Sequence, residues 1–341
     1  MKKSSRPTLA DVAREAEVSV MTVSNFVRGK TIRVGTRRRV EGAIARLNYR
    51  PNLSARSLRL SAAHSVGLVI ADNDPAFLND PFISRLVSGL SNFLSSLDYT
   101  LDIQGVLPER FENAKILNKI GNDALCAILC GPKELRRVHM ANLQRLGQPI
   151  VVFQEVFQAS GSNVAIIRQD DLAGGRLIAQ HLLENRLRSV VFVRPALDWC
   201  AIEQREKGLR SILENAESSI DLKTLIASSE KFDDVQMLVR EYLAKKTPNA
   251  IVAATDSMAV AALKACDLAG IRVPEDVMIA GFNGFDVWRY TKPTLTTIMS
   301  PAYEMGKLAG ELLIERLRSG RFRKRSIVLP ISLQIGESTK P

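Results

Sequence analysis

"EVSVMTVSNFVRGK", Glu17 to Lys30, decides how the first part of this chain is read. Ser19 stands where it can cap a helix. Val23 and Val27 then fall on one face, with Val20 or Phe26 beside them, and Thr22, Ser24, Asn25 and Arg28 occupy the remainder. A short helix with one apolar stripe to hold it down, and small polar groups on its other side, is built to touch a partner.

The flanks supply its neighbours. Upstream, Leu9, Val12, Ala13 and Ala16 recur at i, i+3, i+4, i+7 behind Thr8, a fair cap. Downstream, Val40, Ala43, Ile44 and Leu47 repeat that spacing in a helix from about Arg37. Only "EVS" separates the first two helices, which is a helix-turn-helix layout with the second helix offered to a major groove. On that helix, Val20, Met21 and Asn25 are placed for base edges. Asn can pair bidentately with adenine, and the apolar pair can meet thymine methyls. Ser19, Thr22, Ser24 and Arg28 suit phosphates, which fix register without reading sequence. Thr8 and Thr36, at the starts of the flanking helices, complete the candidate DNA contacts.

The plainer reading is a solvated face on any small bundle, and charge decides against it. Residues 1–60 carry 14 Lys and Arg against 4 Asp and Glu, so nearly all of the net +11 of the 341-residue chain lies there. A basic arm on a neutral body is the footprint of a polyanion binder. A merely solubilising tail would lack the regular apolar spacing. The remainder is ordinary globular sequence, 46% hydrophobic. It has no apolar run near the roughly 20 residues of a membrane span. The basic start has no apolar stretch behind it, so no secretory signal is expected, and the cytoplasm is the expected location. Cys126, Cys130, Cys200 and Cys266 are scattered and read as buried free thiols rather than disulfides or a zinc site.

"TLADVAREAEVSVMTVSNFVRGK" followed by "TRRRVEGAIARLNYRPNLSARSLR" resembles the headpiece of LacI/GalR-type bacterial transcription regulators. Looser likenesses continue in "NDPFISRLVSGL", "DDLAGGRLIAQHLL", "REKGLRSIL", "ATDSMAVAALKACDLAGIRVPEDVMIAGFN" and "KPTLTTIMSP". The resemblance implies a headpiece over 1–50, a hinge helix over 51–62 and a sensor over 63–341. That sensor would have two subdomains joined by three crossovers, closing on a ligand like a periplasmic binding protein. One subdomain is expected at about 63–164 and 296–322, the other at about 165–295 and 323–341. In the family the hinge folds when two copies meet over the minor groove, where a Leu from each wedges between base steps. By position that Leu is Leu58, with Asn52 and Ala55 nearby. A plain linker would not need Leu53, Ala55 and Leu58 at helical spacing. Two departures stand out. Glu17 occupies a turn position where the family usually has Gly, and Asn25 stands where it often has Arg.

Beyond residue 63, apolar strands alternate with amphipathic helices, the mark of an α/β chain with parallel sheets. Strands are expected at 65–71, 100–103, 125–130, 150–154, 189–194, 250–254 and 277–281. Helices are expected near 82–97, 111–121, 172–185, 201–216, 233–245, 257–269 and 302–318. Ligands of doubly wound sheets sit beyond the carboxyl ends of the strands. The loops there offer Asp72, Asn73, Asn79 and Phe82, then Asp198 and Trp199, then Asp256 and Asn283. Arg205 matches the Arg with which family members bind effector hydroxyls. Carboxylates, an Arg and aromatic faces together suit a polyhydroxylated ligand such as a sugar. Trp199 could instead be core, and Asp170 and Asp171 read better as helix-start residues than as ligands. Asn283 stands where the family usually has Asp, and Thr255 where many sugar-binding members have Asn.

The glycines of "DLAGGR" form neither GxxxxGK(S/T) nor GxGxxG, and no catalytic arrangement is arguable from three histidines, so neither cofactor nor enzyme is expected. His181, mid-helix among apolar residues, reads as packing. The function implied is a ligand-responsive repressor. It would work as a homodimer on a pseudo-palindromic operator, because one helix-turn-helix reads half a site. A sugar-binding protein for uptake would share the body but not the basic headpiece, and a regulator sensing a non-sugar metabolite is the other alternative.

Overall fold

The computed structural model describes residues 8–27, 32–47, 64–73, 76–119, 122–157, 163–185, 187–196, 199–216 and 220–340. The chain forms two units, Met1–Ala63 and His64–Pro341.

The first unit holds α1 (Leu9–Glu15), α2 (Val20–Val27) and α3 (Val34–Arg46). Thr8 and Asp11 make a reciprocal capping box on α1. The helix ends in a Schellman motif: the Val18 N–H reaches Ala13 O at 3.0 Å and the Glu17 N–H reaches Arg14 O at 3.3 Å. Such a motif needs a left-handed residue, and Glu17 supplies it at φ 51°. The departure from Gly therefore keeps the turn and carries its strain, on the order of 1 kcal/mol. Val12, Ala13, Ala16, Val23, Val40 and Ala43 form a small core, with Phe26 packed against it. α3 starts at Val34 rather than Arg37, because its first turn is already closed by the Arg37 N–H on Arg33 O.

The second unit contains two sheets. In the first, β1 (Ser65–Ala71), β2 (Thr100–Val106), β3 (Asn122–Ile128), β4 (Ile150–Phe153), β5 (Val164–Gln169) and β11 (Ser326–Leu329) run parallel in the order 11-5-4-3-1-2. In the second, β6 (Ser189–Pro195), β7 (Asp221–Ala227), β8 (Ala250–Ala253), β9 (Met278–Asn283), β10 (Thr296–Met299) and β12 (Ser332–Gln334) lie in the order 12-10-9-8-6-7. Only β12 among them pairs antiparallel. The helices are α4 (Pro81–Ser95), α5 (Lys133–Arg145), α6 (Asp171–Leu183), α7 (Cys200–Leu213), α8 (Phe232–Leu243), α9 (Asp256–Leu268) and α10 (Ala302–Ser319).

The chain passes between halves three times: from β5 to α6, from β10 to α10, and from β11 to β12. These crossings lie away from the expected boundaries. Residues 165–169 fall in the expected second half, but they form most of β5, whose ladder runs on β4. Residues 296–299 fall in the expected first half but form β10 on β9, and residues 326–329, in the expected second half, form β11 on β5.

Each half locks one helix pair by reciprocal glycines. A Cβ on Gly89 would sit 1.9 Å from Tyr303 O, and one on Gly306 would sit 1.9 Å from Leu86 O, so α4 and α10 touch backbone to backbone. Gly175 and Gly208 do the same for α6 and α7, at 2.2 Å and 2.1 Å. The "DLAGGR" glycines are thus packing residues on a helix.

One helix expectation fails, and one helix goes unforeseen. Within the expected 111–121 helix, residues 111–119 are not α-helical: short 3-10 turns at Pro108–Asn113 and Lys115–Asn118 are separated by Ala114 at ψ 119°. The spacing there brings Phe111, Ala114, Ile116 and Leu117 to the core without a continuous helix. The helix of that region is α5, whose buried face is Arg136, His139, Met140 and Leu143. Among the described residues no helix is long and apolar enough to cross a membrane.

Candidate functional site

In the first unit, Ser19 starts α2 by accepting the Thr22 N–H at 3.1 Å, and its hydroxyl meets that of Thr22 at 2.8 Å. Val23 is fully buried, while Val20 and Met21 stand 45% and 65% exposed. Of the two candidates for the apolar stripe, Phe26 packs inward and Val20 points out. Two exposed aliphatic side chains at a helix start disfavour water and suit thymine methyls. Ser24, Asn25, Thr22 and Thr36 are half-buried. Thr8 is exposed, but its hydroxyl is 2.6 Å from Asp11 and serves the cap. Arg37, Arg38 and Arg39 on α3 are exposed, and Arg37 lies over the Phe26 ring at 5.8 Å. Arg28, Asn52, Ala55 and Leu58 lie outside the described residues, as does the whole 51–62 segment.

In the second unit a cleft of about 540 Å³ opens at the carboxyl ends of both sheets. Asp72, Phe82, Trp199, Arg205, Asp256 and Asn283 all line it, as do Asn73 and Asn79; Asp198 lies outside the described residues.

Arg205 is its centre. The side chain is 4% exposed and three of its N–H groups are engaged: Nε with Asp171 at 2.8 Å, Nη1 with Ala254 O at 2.6 Å, and Nη2 with Asn283 Oδ1 at 3.1 Å. The guanidinium also lies over the Phe282 ring at 4.5 Å. Asp171 therefore works through Arg205. It also accepts from Gln169 at 2.8 Å and Gln154 at 3.1 Å, while Asp170 alone caps α6. Asn283 adopts φ 107°, which turns its amide toward Arg205. Asp256 accepts from Thr297 Oγ1 at 2.6 Å and Gly284 N at 2.7 Å. Burial outweighs those bonds and raises its pKa to about 7. Asp80, the cap of α4, is raised to about 6, chiefly by burial and also by the charge of Asp72.

Contacts cross the cleft. The Trp199 indole N–H donates to Cys130 Sγ, in the loop after β3, at 2.8 Å. Trp199 is thus packed against both halves and also lines the cleft. Arg136 on α5 is buried against Glu155 at 2.6 Å and approaches Glu203 of α7 at 3.8 Å. Arg85 of α4 pairs with Asp286 beyond β9.

Comparison with known proteins matches this architecture from end to end. Residues 8–52 match the bacterial regulatory proteins of the lacI family, and residues 179–339 match the periplasmic binding protein-like domain. The ribose operon repressor of Halalkalibacterium halodurans is 27% identical over 98% of this chain and 97% of its own. The transcriptional regulator CelR in complex with cellobiose is 27% identical, with a TM-score of 0.70 over 98% of this chain and 100% of the other. The Lac repressor bound to ONPG in its repressed state shares the fold at 22% identity, with a TM-score of 0.83 over 98% and 100%. The chain joins a LacI-family helix-turn-helix domain to a periplasmic binding protein-like domain. It is a DNA-binding transcriptional regulator with a helix-turn-helix headpiece and a two-sheet sensor.

Against that LacI-type frame, the sequence missed Asp80, Gln154 and the 228–231 loop as cleft residues. Asp80, before Pro81, is both the cap of α4 and part of the lining. Gln154 lines the cleft because its backbone turns at φ 56°, which no spacing reveals. The 228–231 loop follows β7, a strand absent from the expected set, so the rule about carboxyl ends had nothing to act on. His181, read as packing, is buried with Nε2 2.7 Å from Thr339 Oγ1. All four cysteines are buried free thiols.

Proposed function

We propose that this regulator represses transcription as a cytoplasmic homodimer on a pseudo-palindromic operator, and that a sugar or sugar derivative in the cleft alters its DNA binding. The headpiece is residues 1–50, the hinge 51–62 and the sensor 63–341. Val20, Met21 and Asn25 read bases. Ser19, Thr22, Ser24 and Arg28 hold phosphates, Thr8 and Thr36 lie beside them, and Asn52, Ala55 and Leu58 act from the hinge. The observation that carries the sensor reading is the convergence of Asp72, Phe82, Trp199, Arg205, Asp256 and Asn283 on one cleft. Directional acceptors and a guanidinium grip hydroxyls, and aromatic faces cover C–H surfaces. That a relative is a ribose operon repressor and a neighbour holds cellobiose supports a sugar here. Ligand binding would bias contacts such as Trp199 to Cys130 that span the two halves, a coupling typically worth about 1–3 kcal/mol.

The test is selection of preferred sites from a random DNA pool by the full chain, repeated with a panel of sugars. The expected result is a palindromic consensus whose enrichment changes with one sugar. Salt-sensitive binding to any DNA with no consensus would overturn the operator reading, and a monomer at micromolar concentration in sedimentation equilibrium would overturn the dimer.

A further inference from the structure

The charges that line the cleft say more about its ligand than that it carries hydroxyls. Among the described residues, four acidic side chains line the space: Asp72 and Asp256 are buried, and Asp80 and Glu230 are half-buried. Two cations among the described residues line it, Arg205 and Lys231. The charge of Arg205 is balanced from behind by Asp171 at 2.8 Å, and three of its donors are committed to protein acceptors. Lys231 is exposed at the rim, ahead of α8. The interior is therefore acidic and rich in acceptors.

Helix starts pull the other way, and their size can be weighed. α4, α7, α8 and α9 begin at the cleft, and each N-terminus carries about half a positive charge. At α4 and α9 that half charge already faces an acidic side chain, Asp80 as the cap and Asp256 as the first residue. α8 carries Asp233 and Asp234 in its first turn, and α7 carries Glu203. The dipoles help to hold these acids in place and leave no surplus for an anionic ligand.

We propose that the cleft is selective for charge: it accepts an uncharged polyol or its amino derivative and rejects phosphorylated and carboxylated sugars. This rests on the reading of the cleft as the effector site and narrows the ligand class. An anion placed among Asp72, Asp80, Glu230 and Asp256 would meet like charge in a partly desolvated space, where repulsion is poorly screened. An ammonium group in the same place would find acceptors of opposite charge.

The experiment is calorimetric titration of the full chain with matched trios, such as glucose, glucosamine and glucose 6-phosphate, and likewise for galactose, with ribose and ribose 5-phosphate as a pair. Matching within one skeleton removes the effect of stereochemical fit. For any skeleton that binds, the phosphate ester should be weaker than the parent by about tenfold or more, and the amino form at least as tight as the parent. A phosphate ester that binds as tightly as its parent overturns the proposal. If no skeleton binds in any form, the sugar reading fails by itself, and charge selectivity is decided by melting the wild type, Asp72→Asn and Glu230→Gln with putrescine or with inorganic phosphate. The diamine should raise the melting temperature of the wild type more than that of either variant, and phosphate should not stabilise the wild type. Glu230→Gln, on a half-buried loop, keeps the test decisive if Asp72→Asn does not fold. Stabilisation of the wild type by phosphate as large as by the diamine, or an equal diamine response in all three proteins, overturns the proposal.

Discussion

The headpiece and the sensor hold their candidate binding residues in opposite ways. On α2 the side chains offered to a partner, Val20 and Met21, are exposed and make little of the fold, which rests on six small buried residues. In the sensor the candidates Arg205, Asp256 and Asn283 are themselves buried and hydrogen-bonded, and Arg205 ties α6, β9 and the end of β8 together. Specificity in the headpiece can therefore change without disturbing stability. In the sensor the two are coupled, and a change of ligand preference must also repair a buried network.

The largest expected effect lies on the coupled side. Arg205→Ala leaves Asp171 charged and buried without its partner, a loss on the order of 3–5 kcal/mol. Urea unfolding should show it in the sensor, together with loss of any effector response. A variant as stable as the wild type would mean that the network does not carry the fold. Next is a dependence on pH. The carboxyl of Asp256 is raised to about 7 in the folded chain, from an ordinary value of 3.8, so the folded state keeps a proton that the unfolded state releases. The contribution of this group to stability should fall as pH rises between those two values, and Asp256→Asn should remove that fall. The check is the difference in melting temperature between variant and wild type across that window; a constant difference would contradict it. On the headpiece side, Glu17→Gly should relieve the left-handed turn and stabilise the three helices by up to about 1 kcal/mol. Slower hydrogen exchange in α1 would show it. The smallest change in stability is expected for Met21→Ala, within about 0.5 kcal/mol. It should still alter the selected DNA sequence at one step of each half-site, and an unchanged consensus would remove Met21 from the reading face.

How far the sequence could be read follows the same division. The headpiece helices and the strong parallel strands announce themselves because their buried positions are apolar at regular spacing. α5 did not, because Arg136 and His139 sit on its buried face. Arg136 is satisfied there by Gly131 O and by Glu155, and the latter is a partner no local window contains. β5, β7 and the short β10, β11 and β12 were also absent from the expected set. β7 is half exposed and polar, and β12 is only three residues long. The ligand candidates were legible because strands end where ligands bind. Asp171, Gln169 and Gln154 were not, because they act by positioning Arg205 across 34 or more residues or through one another.

The three crossings also set an order of events during synthesis. The core of the first half includes Ala302, Met305, Ala309 and Leu313 of α10, while its other members begin at Val66. At about 5–20 residues per second, the ribosome takes on the order of ten to forty seconds to proceed from the end of α4 to the start of α10. Throughout that interval the surface of α4 around Gly89, which α10 later covers, lacks its native cover. The second half is likewise open until β12 is made. The three-helix headpiece is complete by Arg46 and needs no such wait. In a growing chain, the segment that reads DNA is finished long before the segment that governs it.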